Sequence, residues 1–184
     1  MEFKFLILTR NNYDIKTLLN TIETTNDNIV ISNKFINDIT YKDIENNDRY
    51  YYLDNNTINT SIKNNVVIYA TSNINVISGI TIDDFYNSNI LTMSFSEFNN
   101  ISTNFLLKHS NDFLIVWVDT KKHDNDVVLK NEIKEVNYLL SKINEHNFKY
   151  IYFLDDDVNT ISSVINSYYT GDENIKAEIL QEYC

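Results

Sequence analysis

Two stretches of the chain gather residue types that could do chemistry. The first is Thr9-Arg10-Asn11-Asn12-Tyr13-Asp14-Ile15-Lys16-Thr17. A loop that cradles phosphates has the pattern G-x-x-x-x-G-K-[ST] between a first strand and a helix. Lys16 and Thr17 stand at its Lys-[Ser/Thr], where an ammonium reaches phosphate oxygens and a hydroxyl reaches magnesium. Arg10 and Ile15 stand at its two glycines. Glycine is needed there so that backbone N–H groups can curl round an oxygen with no Cβ in the way. Taken alone, Lys16-Thr17 is a solvated first helical turn. The second stretch is Asp155-Asp156-Asp157, directly after the apolar run Tyr150–Leu154. Two carboxylates on one side of a turn can bridge a divalent metal, which makes Asp155 and Asp157 alternative ligands. The plainer reading is a cap on the helix that follows.

The remaining candidates are sparse. His109, His123 and His146 stand far apart, none in a ligand spacing, and Cys184 is the only cysteine. That excludes a disulfide framework and a cysteine-based zinc site, and it fits a reducing compartment. The only glycines, Gly79 and Gly171, are too far apart to form a glycine-rich loop, and proline is absent. The 13 tyrosines are the excess, and tyrosine supplies amphipathic contact area at protein interfaces.

These groups sit in an acidic chain of 184 residues with a formal net charge of −11. Such a surface repels nucleic-acid phosphate, so no nucleic-acid partner is expected. No apolar run reaches the ~18 residues of a membrane span, and Met1–Phe5 does not read as a signal peptide, so no membrane partner and a cytoplasmic location are expected. The length predicts a single domain over 1–184. Abundant asparagine and isoleucine read as drift in an AT-rich coding genome, which a viral source would suit, with the infected-cell cytoplasm or virion as its place.

Apolar runs alternate with helical periodicity from end to end. Strands are predicted at Phe3–Leu8, Asn28–Ser32, Arg49–Leu53, Val66–Ala70, Ile90–Phe95, Phe113–Val118 and Lys149–Leu154. Helices are predicted at Tyr13–Thr24, Ile82–Tyr86 (capped by Thr81 or Asp83), Glu97–Lys108, Val127–His146 and Val158–Tyr169. The alternation predicts an α/β fold, a three-layer sandwich with a mainly parallel sheet. Phe3–Leu8, Ile90–Phe95, Phe113–Val118 and Lys149–Leu154 are expected side by side and parallel. Residues 33–65 read as a reduced, β-rich insertion, and 171–184 as a polar tail with room for a closing helix.

In order and spacing, the chain resembles guanylate kinases over residues 3–170. The resemblance rests on the strand and loop to Lys16-Thr17, the strand ending at Ser32, and Tyr50-Tyr51-Tyr52. Tyr69-Ala70-Thr71-Ser72, the strand Phe113–Val118 and the run Lys149–Val158 complete it. It implies that Lys16 and Thr17 belong to a nucleotide site using ATP and magnesium. It places Tyr50 and Tyr69 at the phosphate of a nucleoside monophosphate, and Thr71 or Ser72 near its base. The family's two monophosphate arginines fall at Asp38 and Tyr41, and its magnesium acid falls within Met93-Ser94-Phe95-Ser96, where no residue is acidic. Arg10 and Arg49 are the only arginines, so the lid arginines are missing too.

Phosphoryl transfer is positioning plus charge neutralisation, and one arginine can be worth on the order of 10³–10⁵ in rate. The expected function is therefore a non-catalytic, guanylate kinase-like binding or assembly module without a cofactor. Its partner would be another protein or a second copy, with Tyr41, Tyr50, Tyr51 and Tyr52 as interface candidates. One alternative is a divergent nucleoside monophosphate kinase. The other is a fragment resembling GT-A glycosyltransferases, with a metal at Asp155 and Asp157.

Overall fold

The computed structural model describes residues 3–10, 15–42, 49–119, 126–154 and 157–183. Among these described residues eight strands and eight α-helices follow one another. In chain order they are β1 (Lys4–Thr9), α1 (Lys16–Thr25), β2 (Lys34–Ile36), β3 (Tyr50–Tyr52), α2 (Asn55–Lys63), β4 (Val67–Asn73), β5 (Val76–Thr81) and α3 (Ile82–Tyr86). Then come β6 (Ile90–Ser94), α4 (Phe95–Asn99), α5 (Thr103–His109), β7 (Phe113–Asp119), α6 (Asp126–Glu145), β8 (Lys149–Leu154), α7 (Val158–Thr170) and α8 (Glu173–Tyr183).

Four strands form a parallel sheet in the order β6-β1-β7-β8, with Leu8 level with Met93 on one side and Trp117 on the other. These are the four segments expected side by side. Their sequences are continuously apolar because helices cover both faces. Phe5, Ile7, Leu114, Val116 and Val118 pack against Leu18, Leu19 and Ile22 of α1 and Ile161, Val164 and Ile165 of α7. The alternate residues Leu6, Leu8, Ile115 and Trp117 pack against Phe95 and Phe98 of α4, Leu106 of α5, and Leu139 and Ile143 of α6. The result is a three-layer α/β sandwich.

The second sheet, β3-β2-β5-β4, is mixed. β2 pairs parallel with β3 and antiparallel with β5, and β5 pairs antiparallel with β4. It corrects the expected insertion in two ways. The unit runs on from residue 33 to Thr81, and it contains the helix α2, whose Asp54 side chain accepts from the N–H groups of Asn56 and Thr57. Three-residue strands cannot stand alone; the β4–β5 hairpin completes their sheet.

Two further expectations change. Asn28–Ser32 is no strand: only Ile31 bridges to Ile90 at the edge of β6. The single helix over Glu97–Lys108 is two. Ser94 and Glu97 form a reciprocal capping box that starts α4 two residues early, and the chain turns at Asn100 before α5. The tail from Gly171 does close in a helix, α8, which buries Ile179.

Candidate functional site

Parallel α/β sheets present ligand sites outside the carboxyl ends of their strands. Here those ends are Thr9, Ser94, Asp119 and Leu154. Arg10 follows β1, and its Nε donates to Oδ1 of Asp119 at 2.6 Å, both side chains largely buried. The Tyr152 hydroxyl lies 3.4 Å from the other oxygen of Asp119. Burial first, then the Asp119 charge, raises the Tyr152 pKa above the usual tyrosine value. The indole Nε1 of Trp117, on the same face of the sheet, is buried and has no hydrogen-bond partner.

Lys16 and Thr17 open α1 and are both exposed. Ile15 precedes them in a helical conformation, and no side chain caps this end. Both residues thus stand at the helix start after β1. Of the loop between, 11–14 lie outside the described residues.

The mixed sheet turns one face toward α4. Residues level with each other across a sheet share a face. Lys34 is level with Tyr50, Ile36 with Tyr52 and Ser78, Thr71 with Ser78, and Tyr69 with Ile80. So Lys34, Tyr50, Tyr52, Tyr69 and Thr71 share one face, and Phe35, Tyr51 and Gly79 the other. Three of the nucleotide candidates, Tyr50, Tyr69 and Thr71, and one interface candidate, Tyr52, are brought onto a single surface.

What meets that surface is Glu97. Its carboxylate accepts from Lys34 Nζ at 2.9 Å on each oxygen, from the Tyr69 hydroxyl at 3.0 Å and from the Ser94 N–H at 2.7 Å. The Lys34 and Glu97 side chains are only 11% and 13% exposed. Desolvation and then the Glu97 charge push the Tyr69 phenol well above its ordinary pKa. No acid was found within Met93–Ser96, yet one sits just beyond it. Neither Lys34 nor Glu97 was singled out from sequence. The Ser94-x-x-Glu97 capping box was the available signal, since it fixes where that carboxylate points.

The other candidates fall as follows. Tyr41 packs edge-on against Tyr50, with ring centroids 5.7 Å apart. The Tyr51 hydroxyl donates to Asp84 at 2.8 Å, on the opposite face of the sheet from Tyr50. Thr71 Oγ1 is 3.5 Å from Ser78 Oγ. Asp38 caps the turn Ile39–Tyr41. Arg49 pairs with Glu23, so each arginine of the chain is ion-paired with a carboxylate of the chain. Asp155 and Asp156 lie outside the described residues, as do His123 and Cys184. Asp157 precedes α7 without a side-chain cap bond, and Asp156, the other residue that could cap it, lies outside the described residues. His109 is buried, its Nδ1 2.6 Å from Asp112 and its ring against Phe85 and Phe105. Among the described residues no group of three or more His, Cys, Asp or Glu could hold a metal, and no helix is long and apolar enough to cross a membrane.

No protein-family model and no curated protein sequence matches this chain. A solved structure does. The guanylate kinase from Anaplasma phagocytophilum superposes with a TM-score of 0.56 at 11% identity, over 96% of this chain and 86% of that one. At that identity the likeness speaks for the fold alone, and the fold is guanylate kinase-like.

Proposed function

We propose that this chain is a non-catalytic binding module that keeps a kinase framework. One observation carries the reading: Lys34, Arg10 and Arg49 are each neutralised by one of the chain's own carboxylates. Lys34 gives its ammonium to both oxygens of Glu97, and Arg10 and Arg49 are paired with Asp119 and Glu23. A transferring phosphoryl group needs such cations for itself. To reach Lys34, a phosphate would have to displace a largely buried carboxylate. Leaving one member of such a pair unpaired costs about 3–5 kcal/mol. Magnesium fits no better. Among the described residues, Asp119 ends β7 and Glu97 follows the end of β6, and both already hold a cation. Lys34, Arg10, Glu97 and Asp119 as paired here therefore do not fit MgATP.

A second reading, a divergent nucleoside monophosphate kinase, is favoured by Lys16 and Thr17 at the start of α1. One experiment separates the two. The purified protein is given MgATP and each nucleoside monophosphate, and diphosphate formation is followed alongside calorimetric titration with MgATP. The expected result is neither turnover nor measurable heat. Micromolar MgATP affinity abolished by Lys16→Ala would establish the kinase reading instead.

A further inference from the structure

The tip of the β4–β5 hairpin is built against its own stability. Its two central residues, Ile74 and Asn75, have φ of 45° and 70°. Positive φ at both positions is the type I′ geometry, for which Asn-Gly is the usual sequence. A β-branched residue there is an outlier, because its Cβ crowds the backbone. Ile74 is also 89% exposed, the most exposed large apolar side chain among the described residues. Asparagine or glycine at this position would relieve both burdens.

The tip is nonetheless held rigid. The Asn37 side chain accepts from Ile77 N–H at 2.6 Å and donates to Asn75 O at 3.3 Å and Asn55 Oδ1 at 2.7 Å. Its own N–H donates to Ile77 O at 3.0 Å. Asn37 thus ties together the hairpin tip, the start of α2 and the turn that carries Ile39, which is 61% exposed. A rigid apolar anchor loses little freedom on docking.

Charge says what docks. The carboxylates nearest the hub in sequence are Asp38, beside Asn37, and Asp54, beside Asn55. Hydrogen bonds from Thr40 and Thr57 hold both below the usual carboxylate pKa. Between residues 50 and 107 the only cation is Lys63. A second copy, with the same net charge of −11, would be repelled.

We propose that Ile74, with Ile39 on the turn that follows Asn37 and with Asp38 and Asp54 flanking the hub, is an anchor for a partner protein that offers an apolar socket rimmed by Lys or Arg. The proposal rests on the binding-module reading and names its contact surface.

Ile74→Asn separates anchoring from folding. Asparagine suits positive φ, so the melting temperature should rise by about 2–4 °C. The first probe is an amino-substituted β-cyclodextrin, an apolar cavity with an ammonium rim. Methyl chemical-shift changes should centre on Ile74 and Ile39, weaken with salt and vanish in Ile74→Asn. The second probe is a protein retained from source-cell lysate, identified by mass, purified and titrated. Ile74→Asn should bind it at least tenfold more weakly, while Leu107→Asn, changed at an exposed site on α5, binds as wild type. Equal binding by Ile74→Asn, shifts spread over all exposed apolar residues, or no protein retained by wild type would overturn the anchor. Equal binding would leave the binding-module reading standing. Phosphoryl transfer in the kinase assay would remove that reading, whatever Ile74 does.

Discussion

The two four-stranded sheets are made by different rules. In the parallel sheet, every residue of β7 from Phe113 to Val118 is buried, and helices cover both faces. In the mixed sheet, β2 and β3 have three residues each, and Tyr50, Tyr51 and Tyr52 are only half-buried. Four of the five described non-glycine residues at positive φ, namely Arg49, Asn65, Ile74 and Asn75, lie in or beside that sheet. Apolar area holds the first sheet, while the second leans on particular polar bonds: Lys34 and Tyr69 to Glu97, Tyr51 to Asp84, and the Asn37 hub. Apolar burial is non-directional, whereas each polar bond needs its named partner. The second sheet is thereby the easier one to reshape.

The strongest test is a matched pair of cavities. Phe5 is fully buried and meets Tyr168 and Tyr169 edge-on, with ring centroids 5.2 and 5.4 Å away. Phe5→Ala should cost about 3–5 kcal/mol, read as a global loss in urea unfolding. Phe35, as deeply buried in the mixed sheet, should cost less globally when cut to alanine. Its effect should be faster amide exchange in β2, β3, β4 and β5, with β1 and β7 still protected. If Phe35→Ala deprotects β1 and β7 as fully as Phe5→Ala, the sheets are one cooperative unit and the contrast fails.

Next in size is the bridge between the sheets. Glu97→Ala strands the Lys34 ammonium and removes the capping box of α4. About 3–4 kcal/mol should be lost. A Lys34→Met/Glu97→Leu double variant should recover much of it, because apolar replacement removes both desolvated charges at once. A double variant as unstable as Glu97→Ala would mean that the capping bonds, not the ion pair, join the layers.

These differences explain what could be read from sequence. The parallel sheet was legible because covering both faces demands unbroken apolar runs, and Phe113–Val118 is one. The mixed sheet was half-legible. Tyr50–Tyr52 and the strand from Val67 carry β-rich residues, but Lys34-Phe35-Ile36 is too short to show alternation. α2, reading Asn-Asn-Thr-Ile-Asn-Thr-Ser-Ile-Lys, buries only Ile58 and has almost no apolar stripe to detect. The site failed in the same half. The resemblance points to a carboxylate within Met93–Ser96, at the end of β6, and the one that matters is placed by a helix cap three residues on from Ser94. Lys34 was invisible because nothing local marks its partner, 63 positions away.

A smaller effect is expected at Gly79. A Cβ there would fall on the Tyr69 carbonyl oxygen and the Phe35 ring, so the strands approach only because this side chain is missing. Gly79→Ala should cost about 2 kcal/mol. The loss should appear as exchange in β4 and β5, while the α1 and α7 amides are unmoved. Uniform deprotection would count against separate sheets.

The smallest effect at neutral pH, and the most diagnostic in its pH dependence, concerns Tyr69. Tyr69→Phe removes one hydrogen bond to Glu97 and should cost about 1 kcal/mol at pH 8. Burial and the Glu97 charge raise the folded pKa of Tyr69, and burial and Asp84 raise that of Tyr51. For a group raised on folding, the stabilisation is whole below the unfolded pKa of about 10 and drains away as pH climbs toward the folded one. Both tyrosines lie in the mixed sheet. In the parallel half the raised tyrosine, Tyr152, is half exposed, and burial lowers the pKa of Lys4 and Lys142 from 10.5. A lowered lysine works the other way, with stability rising with pH until the unfolded lysine also loses its proton. Above pH 10 the mixed sheet should therefore be the first to open, by amide exchange at its strands. Urea midpoints measured from pH 8 to 11 should fall less steeply for Tyr69→Phe than for wild type, and the two curves should converge. Parallel curves would show that Tyr69 keeps no raised pKa in the folded protein, and that Glu97 does not face it as a charge.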